Sequence, residues 1–320
     1  MRRFLAARLL QSLIVLVLVT TISFVIIHTA PGDPFSYESP NVSPAVRARL
    51  RHEFGYDRPL PVQYVRYLAN VARGNLGYSV TRRESVGRAL ASAIPNTLLL
   101  MSVALSVSFA IGIALGATQA AWRGTWFDRA VSTLLMFFYS LPDFWLALAV
   151  LLCLTYWLPI FPSGNTVDLV MHDYLPFWGR VGDRLKHLIL PAGTLVLLTA
   201  AAIARYQRAA MLEVLPLDFV RTARAKGLPE RRVLGRHALR NALLPTVTLV
   251  GLVLPTVLGG TVFVEKIFTW PGMGLLSVNA IDTRDYDLVL AGVIVGGVMV
   301  AIGSLVSDVL YAMIDPRVRD

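Results

Sequence analysis

Residues 89–122 run for 34 positions without one Asp, Glu, Lys or Arg. Residues 144–167 and 241–264 do the same for 24 positions each, and 288–307 for 20. A helix needs about 20 apolar residues to cross a hydrocarbon core about 30 Å thick. The chain of 320 residues carries 16% charged side chains, against about 25% in an average globular protein. Its charge-free runs are too long and too numerous for one soluble core. They exclude a soluble enzyme, a disordered chain and a fibre, and predict an all-α integral membrane protein.

Six transmembrane helices fit. The first covers about 9–30, behind Arg2, Arg3 and Arg8. Its 19 uncharged residues, Leu9–Ile27, exceed a usual signal-peptide core, and no A-x-A-like site follows. It reads as a retained anchor. The others are expected at 96–120, 129–158, 187–209, 242–264 and 286–311. Pro95 and Pro191 are placed at helix openings, where a missing N–H leaves no donor unused. Pro142 and Pro255 fall inside their helices and break the ladder locally. The organisation expected is an N-terminal helix (1–30), an outer segment (31–94), a core (95–314) with an inner loop at 205–241, and a tail (315–320).

Lys and Arg gather in loops on the cytoplasmic side of a membrane. The 205–240 loop holds nine basic residues against three acids, and the 121–129 loop holds Arg123 and Arg129. Both ends of the chain are therefore expected in the cytoplasm. The formal charge of +10 flanks apolar spans, so it points to membrane lipid and not to nucleic acid. Gly112/Gly116 and Gly292/Gly296 repeat at four-residue spacing, which lets helix backbones approach closely in lipid.

Several chemistries find no residues. The chain has no G-x-x-x-x-G-K-[ST] phosphate loop, no H-E-x-x-H and no G-x-S-x-G. The five His are scattered without metal-ligand spacing. Cys153 is single and lies in an apolar run, so it reads as a small packing residue. Two Asp stand in the spans, Asp143 and Asp308. Asp308, near a helix end, reads as structural. Asp143 either faces a water-filled path and touches polar cargo, or bonds backbone N–H groups freed beside Pro142; a charge facing lipid costs at least ~2.5 kcal/mol.

The inner loop is strongly punctuated. In Leu215-Pro-Leu-Asp-Phe-Val-Arg-Thr-Ala-Arg-Ala-Lys-Gly-Leu-Pro229, Pro216 suits a first helical turn. Asp218 sits at the positive end of the helix dipole, and Arg224 and Lys226 at the negative end. Gly227 suits the left-handed position after a helix. Leu217, Val220 and Ala223 share a face at helical spacing. A second short helix is expected from Glu230 to about Asn241. Such a rod either seats in a groove of another protein or lies on anionic lipid.

The same segment carries a resemblance. Phe219-Val-Arg-Thr-Ala-Arg-Ala-Lys-Gly-Leu228, followed by Arg236-His-Ala-Leu-Arg-Asn-Ala-Leu-Leu-Pro245, resembles the inner loop of permease subunits of bacterial binding-protein-dependent ABC importers, dipeptide/oligopeptide/nickel branch. Against the general loop pattern E-A-A-x-x-x-G-x9-I-x-L-P, Ala223, Gly227 and Leu239 match. Arg221, Thr222, His237 and Arg240 depart from it. Further matching stretches include Pro31-Gly-Asp-Pro34, Gly74-Asn-Leu-Gly-Tyr-Ser79, Ser140-Leu-Pro-Asp-Phe-Trp145, Glu265-Lys-Ile-Phe-Thr-Trp-Pro-Gly-Met-Gly274 and Asp315-Pro-Arg-Val-Arg319. They span essentially the whole chain in order.

The resemblance implies a permease fold in the bacterial inner membrane. It implies a second homologous permease subunit, two ATPase subunits or domains that bind the ATP and Mg, and an extracytoplasmic solute-binding protein. Leu217, Val220, Arg221, Ala223, Arg224 and Gly227 would couple to the ATPase. The chain itself would bind no cofactor and catalyse no reaction. Peptides are the expected cargo, with nickel chelates, glutathione or oligosaccharides as alternatives. A stand-alone secondary carrier is the other class, which usually needs more intramembrane charge than this chain has.

Overall fold

The computed structural model describes residues 2–29, 45, 49, 52, 55–246, 249 and 262–314, except the side chains of 2–7 and 307–314. These residues are predominantly helical and form two compact units. The first unit draws on residues up to 97 and on 271–301; the second on 98–270 and on 302 onward. Among the described residues, four helices are long and apolar enough to cross a membrane, or five if one bent pair counts as a span. The expected helix at 242–264 falls largely on residues 247–261, of which only 249 is described.

In the first unit, α1 (Arg2–Thr29) is followed by α2 (Leu60–Ala72). Two short strands, β1 (Tyr78–Ser79) and β2 (Glu84–Ser85), pair antiparallel, with Tyr78 opposite Ser85. α3 (Val86–Ala121) then runs from this unit into the second. It does not open at Pro95 as expected, and the boundary drawn at 94 falls inside it. Val86, Ala89, Leu90 and Ala93 are buried together with Leu276, Ala280, Leu288 and Ala291 from later in the chain. That packing holds the turns before Pro95 helical, because most helix stability in proteins comes from burying one face.

Asn96 Nδ2 donates to the Pro271 carbonyl at 2.9 Å, and Thr97 Oγ1 accepts the Met273 N–H at 2.8 Å. The second bond satisfies a donor that α10 (Met273–Asp282) would otherwise leave unpaired at its start. Asp285 opens α11 (Tyr286–Ile314) by accepting the Leu288 N–H at 3.3 Å. It also accepts the hydroxyls of Ser79 at 2.5 Å and Thr81 at 2.7 Å.

In the second unit, α4 (Trp126–Ser140) starts on a Thr125 cap whose hydroxyl accepts the Asp128 N–H at 3.3 Å. The single helix expected at 129–158 is not formed. α4 stops at Ser140, and α5 (Asp143–Leu151) leaves at 104° to it before a π-helical turn at Leu152–Trp157. Pro142 causes the break: its ring disfavours helical geometry at Leu141, which is extended at φ −78, ψ 138.

α6 (Phe177–Val214) is 38 residues long, or about 57 Å at 1.5 Å per residue, so it is longer than a bilayer core. Pro191 lies buried inside it, not at its start. A buried cluster surrounds that stretch, including Leu188, Leu195, Val264 of α9 (Val262–Ile267), Phe268 and Trp270. Gly112 and Gly116 are the close approach their spacing predicts. A Cβ at Gly112 would lie 2.7 Å from Ile203, and one at Gly116 2.5 Å from the Ala204 carbonyl. The second glycine pair differs: a Cβ at Gly296 meets nothing within 4 Å, and Gly297 is the position facing Leu16 at 2.7 Å.

Candidate functional site

The segment after α6 takes its shape from its own residues. Leu217 is extended at ψ 149 and caps α7 (Asp218–Ala225). Its carbonyl accepts the N–H groups of Val220 at 3.0 Å and Arg221 at 3.2 Å. Pro216 therefore stands outside the helix it was expected to begin. Gly227 adopts φ +73 and donates its N–H to the Arg224 carbonyl at 2.9 Å, ending the rod. Pro229 caps α8 (Glu230–Arg232), which passes into a π-helical turn at Val233–Ala238. The helical course then continues to residue 246 without the stop expected near Asn241.

The faces of α7 are sharply divided. Val220 is 0% exposed and Ala223 4%. They pack with Met211, Val233, Ala238 and Ala242. Burying a Val side chain contributes roughly 1.5–3 kcal/mol, enough to hold a two-turn rod that would not persist alone. Leu217 is 46% exposed and Phe219 40%; Arg221, Arg224 and Gly227 are exposed as well. Leu217 does not share the buried face, because a cap residue lies outside the helical register. The six residues of the loop thus separate into two anchors and four that are open to solvent.

Ion pairs dress the outer face. Arg224 donates from Nη2 to Glu230 Oε1 at 2.8 Å, bridging α7 to α8. That bond holds the Glu230 carboxyl below its ordinary range and the Arg224 guanidinium above its own. Arg221 stands 3.9 Å from Asp218, a loose and fully wet pair.

Three further residues anchor the segment and were not legible beforehand. Gln207 on α6 accepts the Thr246 hydroxyl at 2.6 Å and donates to the Ala242 carbonyl at 3.4 Å. It ties the end of α6 to the helix that leaves the loop. Arg208 beside it holds Asp128 of α4 through two bonds of 2.8 Å. Asp128 also accepts the Gly124 N–H at 3.0 Å. The only signal in the sequence was a polar pair at the edge of an apolar run, and it names no partners.

Asp143 sits apart from this segment. It is the first residue of α5, half-buried, and its Oδ1 accepts the Phe144 N–H at 2.8 Å. The geometry is that of a carboxylate bonding backbone freed at the Pro142 break. Among the described residues no group of three or more His, Cys, Asp or Glu could hold a metal ion.

Comparison with known proteins covers the whole chain. Residues 91–320 match the family described as "Binding-protein-dependent transport system inner membrane component". Residues 1–101 match its N-terminal companion, "Binding-prot-dependent transport system membrane comp, N-term". The chain is 39% identical to the oligopeptide transport system permease protein AppB of Bacillus subtilis (strain 168), covering 100% of both chains. It is 39% identical to the di/tripeptide transport system permease protein DppB of Pseudomonas aeruginosa (strain UCBPP-PA14), covering 94% of each. It is 38% identical to the glutathione transport system permease protein GsiC of Salmonella paratyphi A (strain ATCC 9150 / SARB42), covering 100% of this chain and 99% of that one.

Proposed function

The chain belongs to the family of binding-protein-dependent transport system inner membrane components, and from that premise we propose that it is a permease subunit importing short peptides through an ABC transporter. Its relatives are named for oligopeptides, di- and tripeptides, and glutathione. These are one chemical class, a short chain of amides with charged ends. A second permease subunit completes the path, an extracytoplasmic binding protein delivers the cargo to the outer segment, and ATP hydrolysis resides on two partner subunits. Both termini and the 205–241 loop face the cytoplasm, in keeping with the excess of Lys and Arg there.

One observation carries this reading. α7 is gripped from within by Val220 and Ala223 and offers Leu217, Phe219, Arg221 and Arg224 outward. An exposed apolar pair framed by Arg is what a protein groove recognises. Through Met211 and Gln207, a push on α7 is passed to α6 as rigid-body movement.

The test is a cysteine at Leu217 or Phe219 in inner-membrane vesicles. Crosslinking of either to an ATPase subunit, with a yield that changes on adding ATP, supports the reading. Free labelling of both positions in the assembled transporter, with no crosslink in any nucleotide state, overturns it.

A further inference from the structure

The unit containing α1 and α2 holds a second constellation, with no part in that coupling. The last turns of α1, the segment 55–78 and the first turn of α11 line an open cavity of about 450 Å³. Small-molecule sites span about 300–1,000 Å³. Side chains of opposite charge line its wall.

Asp287 supplies the negative side. Its Oδ2 accepts the Tyr78 N–H at 3.2 Å, the one hydrogen bond it makes among the described residues. Gly77 makes this approach possible: at φ +94, a Cβ there would lie 2.2 Å from the same oxygen. Aromatic rings line the same cavity. Phe24 stacks on His28 with ring centres 3.9 Å apart and lies 5.8 Å from Tyr67; His28 lies 6.0 Å from Tyr56. The Tyr67 hydroxyl is buried and has no hydrogen-bond partner among the described residues. Burial first, then the Asp287 and Tyr64 charges, raise its pKa well above the usual phenol value, so it stays a neutral donor. A polar guest beside it relieves the cost of an unpaired buried hydroxyl.

Arg58 and Arg66 supply the positive side. They converge on Gly55, where a Cβ would stand 3.1 Å from Arg66 Nη1 and 3.9 Å from Arg58 Nε. Among the described residues neither makes an ion pair; Asp57, next in sequence to Arg58, is bonded to His52 at 2.7 Å. Two guanidinium groups brought together, with the neighbouring Asp57 carboxylate bonded to His52 and not to them, are a site for an anion.

We propose that this cavity binds a small zwitterion by both ends, its ammonium at Asp287 among the aromatic faces and its carboxylate at Arg58 and Arg66. A cation over aromatic rings is held by their quadrupole. Resting on the peptide-import reading, the guest is a free di- or tripeptide, and the outer unit of the permease reads its two termini.

The full-length chain in lipid nanodiscs, titrated with dialanine, N-acetyl-dialanine and dialanine amide, tests this. Dialanine is expected to bind, and each capped form at least tenfold more weakly. Asp287→Asn should erase the discrimination against the acetylated form, and Arg66→Gln that against the amide. Equal binding of the three peptides to the wild-type chain, or no binding of any, overturns the site, and that result needs no variant to fold. Peptide uptake by cells, measured alongside, separates the two readings. Uptake that needs the chain, without dialanine binding at the cavity, sinks the site alone; dialanine binding in a chain that no peptide uptake requires sinks the import reading.

Discussion

Arg208 and Asp128, 80 positions apart, meet through two parallel bonds of 2.8 Å with the Asp side chain only 5% exposed. This fork fastens the start of α4 to α6, nearly two turns before α6 hands over to the loop that carries α7.

Removing one member leaves the other charge without its partner. Arg208→Ala is expected to cost roughly 3 kcal/mol, near the low end for a broken buried pair because the Arg is 30% exposed. Arg208→Lys keeps the charge and loses the fork, so its cost should fall between. Thermal denaturation in detergent measures both, and equal melting temperatures for wild type and Arg208→Ala would show that the pair carries no stability.

On α7, exposure separates two kinds of variant. Phe219→Asp changes a side chain 40% open to solvent. It is expected to leave the melting temperature within about 1 °C and to cut ATP-driven uptake at least tenfold. Val220→Asp puts a charge where exposure is 0% and should destabilise the loop itself. Uptake assays paired with melting curves decide; wild-type uptake in Phe219→Asp would remove this face from the coupling.

Gly227 tests the backbone alone. A Cβ there meets nothing within 4 Å, so only its φ of +73 opposes a larger residue. Gly227→Val should cost about 1–2 kcal/mol, and Gly227→Asn distinctly less, because Asn tolerates this region. Hydrogen exchange across 217–233 should rise in that order. Identical exchange in Val and Asn variants would mean that the left-handed turn is not maintained.

The Arg224–Glu230 pair sets a direction with pH. Arg224 holds the Glu230 carboxyl below its ordinary value. A depressed carboxyl stabilises the fold above its unfolded pKa and loses that contribution as pH falls through its folded one. The pair is about half exposed, 43% and 55%, so the effect stays under about 0.5 kcal/mol. Protection of the 226–233 amides, corrected for intrinsic rates, should hold constant from pH 7 to 5 and drop only below about pH 4.5. Glu230→Gln should flatten the profile; an unchanged drop in that variant would assign it to another group.

Much of the α7 region was legible beforehand. Asp218, Gly227 and Pro229 mark a start, an exit and a stop through local backbone preference, and the helix lies where they put it. Pro95 and Pro191 misled because a proline at a helix opening and one inside a packed helix look alike in sequence. Burial of Val86, Ala89 and Leu188 decided between the two. Pro142 broke its span outright, since nothing restores helical geometry to the residue before it.

By itself the amino-acid order determined membrane residence, the helical class and the punctuation of the inner loop. Each is a sum over neighbouring residues: transfer of apolar side chains, helix capping, backbone preference. Only the tertiary structure decided that Val220 and Ala223 turn inward while Phe219 and Arg221 turn out, that Arg208 finds Asp128, and that Asp287 shares a cavity with Arg58 and Arg66. Those partners lie far apart along the chain, and which of them meet follows from how whole helices pack.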